Sequence, residues 1–88
     1  QVWMNFPRRG IFTVPSSVRS PRYQRLLERL VRARTEAGLT QTEVARTLRR
    51  PQSWVSKVES GERRLDVVEL EVLAVLYQKR MRFFLEAP

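Results

Sequence analysis

The sequence predicts an all-α fold: a compact domain of four to five helices, preceded by an N-terminal arm that is irregular or a β-hairpin. Three observations predict it. Apolar residues recur at helical spacing through most of the chain after residue 20. Helix-start signatures stand where those stretches begin: Ser20-Pro21, Thr40 with Glu43, and Asp66 with Glu69. Gly38 and Gly61 stand where two of the stretches end, as expected of residues that accept a left-handed C-cap. Residues 1–20 are therefore read as a basic arm and 21–88 as the helical domain.

The arm, QVWMNFPRRGIFTVPSSVRS, shows no helical periodicity. Val2–Phe6 and Ile11–Val14 could pair as two short strands about a Pro7-Arg8-Arg9-Gly10 turn. Such a hairpin is marginal alone and needs a sheet, a second subunit or the domain surface. No acid precedes Glu28, whereas Arg8, Arg9, Arg19, Arg22 and Arg25 do.

The first helix is expected from Ser20-Pro21 to Gly38, with Tyr23, Leu26, Leu27, Leu30, Val31 and Ala37 as its apolar stripe. Arg25, Arg29, Arg32 and Arg34 lie largely outside that stripe and are read as a solvated face, with one of them near DNA as the alternative. Thr40 and Glu43 form a capping box for a second helix, whose Val44, Ala45 and Leu48 share one face. Arg49 and Arg50 then break the pattern, and Pro51 suits the start of a third helix because it has no N–H to satisfy. From Gln52 to Glu59 the apolar residues are Trp54, Val55 and Val58, which leaves Gln52, Ser53, Ser56 and Lys57 facing outward. A fourth helix is expected from Val67 to Tyr77. Val68, Leu70, Val72, Leu73, Ala74, Val75, Leu76 and Tyr77 crowd nearly all its faces, so it needs cover on more than one side. Gln78–Glu86 is expected to add a fifth helix, with Met81, Phe84 and Leu85 inward, or to extend the fourth.

Composition excludes several classes of function. The chain has no cysteine and no histidine, which removes disulfides, thiolate metal sites and the commonest general base. With no nucleophile–base constellation it is not read as an enzyme, and no cofactor or metal is expected. No apolar run approaches a membrane span, and no apolar core of a signal peptide is seen. Charge points to the partner: 17 Lys and Arg against 9 acids, net +8. All but Lys57 and Lys79 of those cations are arginine, whose planar fork suits phosphate and guanine. A polyanion, nucleic acid first, is the implied partner.

Two stretches carry a resemblance. Gly38–Ala45 reads G-L-T-Q-x-E-V-A, and Pro51–Leu70 reads P-Q-S-W-V-S-K-V-E-S-G-E-R-R-L-D-V-V-E-L. Together they resemble the XRE family of helix-turn-helix regulators, the Cro and phage-repressor type. The subgroup with an aromatic at the Trp54 position fits best, and the likeness runs from about Leu26 to Tyr77. It implies a domain of phage-repressor type, with Gln41–Leu48 and Gln52–Glu59 as the helix-turn-helix. Members often place Gly near Arg49, so an arginine there adopts an ordinary backbone conformation or carries strain. The first twenty residues fall outside the resemblance.

A recognition helix places its N-terminal side chains on base edges in the major groove. Gln52, Ser53 and Lys57 are the base-contacting candidates: Gln pairs with adenine, Ser addresses several bases, and Lys favours guanine. Gln52 as a plain helix-start polar residue, and Lys57 as a phosphate contact or solvated side chain, are the alternatives. By the resemblance Gln41 grips a backbone phosphate, and the open amides at its helix start favour an anion there. Arg50, Ser56, Ser60, Arg63 and Arg64 are the further phosphate candidates, Arg63 and Arg64 the best of them. Trp54 either packs against its neighbours or offers its edge to a thymine methyl, and packing is favoured. Glu59 is assigned to a salt bridge or cap within the domain, and Val44, Ala45, Leu48, Val55, Val58, Leu65 and Leu73 to the core.

These readings converge on sequence-specific binding of double-stranded DNA by a cytoplasmic, nucleoid-associated transcriptional regulator, a repressor in the leading version. A homodimer on a pseudo-palindromic operator is expected, because one module buries little surface. Two alternatives stand. One is the antitoxin of a toxin–antitoxin pair, with a toxin protein as second partner. The other is a protein-interaction adaptor on the same fold, for which Gln52, Ser53 and Lys57 would be dispensable.

Overall fold

A computed structural model describes residues 20–85. The proposed N-terminal hairpin lies outside them. Within them all regular structure is helical: α1 Pro21–Glu36, α2 Gln41–Leu48, α3 Gln52–Ser60, α4 Val67–Leu76 and α5 Met81–Leu85. None of these helices is long and apolar enough to cross a membrane.

The helix starts follow the predicted chemistry. Ser20 Oγ accepts the Tyr23 amide at 3.1 Å, with Pro21 at the first helical position. In α2 the Glu43 amide donates to Thr40 Oγ1 at 3.1 Å, and the Thr40 amide donates to Glu43 Oε1 at 2.8 Å. Asp66 and Glu69 repeat the reciprocal pair at α4, at 2.7 and 3.1 Å. Pro51 sits one position earlier than expected, as the N-cap of α3 rather than its first residue, and α3 has no side-chain cap.

Three helix ends share one geometry, a left-handed residue followed by an amide that reaches back five residues. The bonds are Leu39 N–H to Arg34 O at 3.1 Å, Arg50 N–H to Ala45 O at 2.9 Å, and Lys79 N–H to Ala74 O at 2.9 Å. Gly38 fills the left-handed position after α1, but Arg49 (φ 57°) and Gln78 (φ 58°) fill it after α2 and α4. Of the two outcomes open to Arg49, the strained one is therefore realised.

The core joins Leu27, Leu30 and Ala33 of α1, Val44 and Ala45 of α2, and Trp54, Val55 and Val58 of α3. Leu65, then Leu70, Leu73, Ala74, Tyr77 and Phe84, complete it. Leu48 is only partly buried. On α1 the buried small residue is Ala33, whereas Ala37 is exposed. On α5 the expected inward trio changes. Phe84 is buried and Met81 half-buried, but Leu85 is 55% exposed. Phe83 takes the inner flank instead, edge-on to Phe84 with centroids 5.2 Å apart. A five-residue helix turns too little surface inward to bury three large side chains at those spacings.

α1 is the scaffold, packing on both α3 and α5, while α2 packs on α3 and α4 on α5. The Leu65 amide donates to the Tyr23 hydroxyl at 3.1 Å, which pins the loop before α4 to the start of α1. Leu70, Leu73 and Ala74 turn α4 inward, but its other side stays bare. Val67, Val68, Val72 and Val75 are 66, 62, 45 and 79% exposed. The cover that this helix was expected to need is not supplied by the described residues.

Candidate nucleic-acid interface

α2 and α3 form the helix-turn-helix, and α3 carries its face because burial fixes its rotation. Trp54, Val55 and Val58 point into the core, so Gln52, Ser53 and Lys57 stand exposed, with Ser56 half-buried beside them. The three base-contact candidates are thus brought to one surface. Among the phosphate candidates, Arg50, Ser60 and Arg64 are exposed, and Gln41 and Arg63 half-buried. Ser60 Oγ is engaged locally, donating to the Lys57 carbonyl at 3.1 Å and accepting the Glu62 amide at 3.3 Å.

A chain of hydrogen bonds orients the readout end of α3. Gln52 Nε2 donates to Gln41 Oε1 at 2.7 Å, and Gln41 Nε2 donates to Glu59 Oε1 at 2.8 Å. Glu59 is in turn held by Arg34, through Nε to Oε2 at 2.7 Å and Nη2 to Oε1 at 3.2 Å. This fork is the strong bidentate form of the pair. The side chains are only 13% and 8% exposed, so the bridge lies inside the domain, where Glu59 was assigned. The hydrogen bonding that Arg34 donates to Glu59 raises the Arg34 pKa, which keeps the guanidinium charged. Burial, and then the Glu59 carboxylate, push the Tyr77 hydroxyl well above its ordinary range.

Arg34 was read as part of a solvated face, and that reading is corrected. It lies beside the buried Ala33 and donates Nη1 to the Leu39 carbonyl at 2.9 Å. The sequence did contain a signal. Glu59 follows Val58 and lies one turn after Val55, so its carboxylate enters the core margin and requires a cation.

At the opposite flank of α3, Trp54 is packed, as favoured, and is 8% exposed. The guanidinium carbons of Arg50 and Arg63 lie 4.5 and 5.3 Å from its ring centroid, in cation–π range. Both arginines also reach Glu69. Arg63 donates Nη1 to Oε1 and Nη2 to Oε2, each at 3.1 Å, and Arg50 Nη2 stands 3.6 Å from Oε2. Arg63 Nη1 further donates to the Arg64 carbonyl at 2.9 Å. The Arg63 hydrogen bond, first among several causes, holds the Glu69 carboxyl below the usual range. Sequence reasoning missed Glu69 here, because its capping-box role already accounted for it.

A helix that offers polar side chains while its neighbours display arginines is suited to binding a polyanion. Comparison with known families agrees. A family model described as a helix-turn-helix domain matches residues 25–78, well over half of the chain, and the chain belongs to that family of DNA-binding domains. No curated protein matches the chain.

Proposed function

We propose that this protein is a sequence-specific regulator of transcription, of the Cro and phage-repressor type, that represses by occupying its operator. One observation carries the reading: burial of Trp54, Val55 and Val58 turns Gln52 and Ser53 at the start of α3, and Lys57 further along it, into solvent. In this reading α3 enters the major groove and those side chains meet base edges. Gln41, Arg50, Ser56, Ser60, Arg63 and Arg64 line the phosphates, and residues 1–20 act as a separate basic arm. The bare valine face of α4 supports a homodimer, which presents two recognition helices to the half-sites of a pseudo-palindrome about 34 Å apart. The same face supports a second reading, an antitoxin whose toxin covers α4.

Selection of bound duplexes from a random pool tests the function. A two-fold symmetric consensus is expected. Recovery of unenriched sequence would refute specific recognition.

A further inference from the structure

α3 and α4 are joined by side chains rather than by close backbone packing: no Cα of one comes within 8 Å of a Cα of the other. The junction is the cluster of Arg50, Trp54, Arg63 and Glu69, which draws on the α2–α3 turn, α3, the following loop and α4. Its two guanidiniums share the indole below them and one carboxylate between them. The Arg50 and Arg63 side chains are 42% and 38% exposed, but that of Glu69 only 15%. The arginines are open to solvent, and their counter-charge is set back against the domain.

A carboxylate that accepts two parallel N–H bonds from arginine presents the oxygen geometry a phosphate would present. We propose that Glu69 is an internal competitor for the DNA backbone. It keeps Arg50 and Arg63 folded over Trp54 and lowers affinity for duplexes of any sequence, which leaves discrimination to Gln52, Ser53 and Lys57. The proposal rests on the DNA-binding reading above. Non-specific affinity comes from cations that displace condensed counterions, so a carboxylate that neutralises one of two arginines removes about one such contact.

Glu69 also closes the α4 capping box, but glutamine serves that position as well as glutamate. Glu69→Gln therefore removes the charge and keeps the cap. Glu62→Gln makes the same change of net charge at an exposed residue of the neighbouring loop, with no bond to either arginine. The experiment measures dissociation constants of the full chain and both variants on a random-sequence duplex, between about 50 and 200 mM salt. Glu69→Gln should bind roughly threefold to tenfold tighter at the lower salt, as expected for one unscreened charge a few ångströms from a phosphate. Its slope of log K against log salt should steepen by about one, and Glu62→Gln should change much less. Binding by Glu69→Gln that is equal to or weaker than wild type, with an unchanged slope, overturns the proposal, and so does an equal gain in Glu62→Gln. A wild-type chain that binds no duplex at all is a different result, which defeats the DNA reading and this proposal together.

Discussion

Glu59→Ala tests the centre of the relay that orients α3. Truncation removes an acceptor that serves both Arg34 and Gln41, and leaves the guanidinium of Arg34, whose side chain is 13% exposed in the intact pair, with the Leu39 carbonyl as its retained partner. Stranding one member of a buried ion pair costs about 3–5 kcal/mol. The surviving carbonyl bond places this case near the lower end, about 3 kcal/mol. In a domain of this size each kcal/mol moves the melting temperature by about 4–8 °C, so the midpoint should fall by about 12–24 °C. Thermal scans by circular dichroism read this directly. Replacing both partners with apolar residues, Arg34→Met with Glu59→Leu, should cost less than Glu59→Ala alone, because no charge is left behind. A Glu59→Ala chain that melts within about 3 °C of wild type would refute the argument, since the loss would then be under 1 kcal/mol.

The remaining predictions concern the readout face, the strained turn, the bare helix and pH. Gln52→Ala should cost about 1–3 kcal/mol on the preferred site and relax selection at one base pair, read from a panel of single-base variants. Arg49→Gly relieves a left-handed arginine and should raise stability by about 1 kcal/mol, seen as a higher thermal midpoint. Val75→Asp, at the most exposed of the four valines, should shift sedimentation from dimer to monomer; an unchanged profile would remove α4 from the interface. Glu36, Glu43 and Glu69 are all held below their ordinary value of 4.5, chiefly by Lys79, the Thr40 amide and Arg63 respectively. The unfolded chain therefore takes up these protons first, so their stabilisation is full above that value and is lost as pH falls through the folded values. A melting temperature that rises on acidification below about pH 4.5 would contradict this assignment.

How legible the fold was depended on whether a feature was local. The capping boxes of α2 and α4 and the Ser20 cap are decided within four residues, and sequence placed all three. The rotation of α3 was equally readable, because Trp54, Val55 and Val58 leave one face for the core. Features set by distant residues were readable only in part: the position of Glu59 calls for an internal partner but does not say which cation supplies it. Arg34 and Glu59 are 25 positions apart, and periodicity alone leaves Arg34 outside the stripe. Leu85 and Phe83 exchanged roles because the rotation of so short a helix is set by its contact with α1, where Arg29 Nη1 donates to the Phe83 carbonyl at 2.9 Å. Glu69 showed a third limit. One carboxylate serves a cap and two arginines at once, and a residue with a sufficient local role gives no sign of a second.

α3 is nine residues long and lacks a side-chain cap, so propensity alone does not hold it. Its placement comes from both ends. Near its C-terminus Glu59 fastens it to α1, and near its N-terminus Trp54 lies under the arginines that Glu69 gathers from α4. Gln52 connects to the first of these anchors through Gln41. Base selection should therefore be sensitive to Arg34, although that side chain is half-buried, held by Glu59 of α3 and the Leu39 carbonyl, and is assigned no contact with DNA. In Arg34→Lys the guanidinium fork on Glu59 is lost while the charge stays. Gln41 should then share Glu59 with a mobile ammonium, and Gln52 should lose its fixed amide orientation. The expected signature is a weaker preference at the base pair that Gln52 reads, with the salt slope unchanged, because no phosphate contact has been altered. An unaltered preference profile in a folded Arg34→Lys chain would show that Gln52 is oriented by the DNA rather than by the relay behind it.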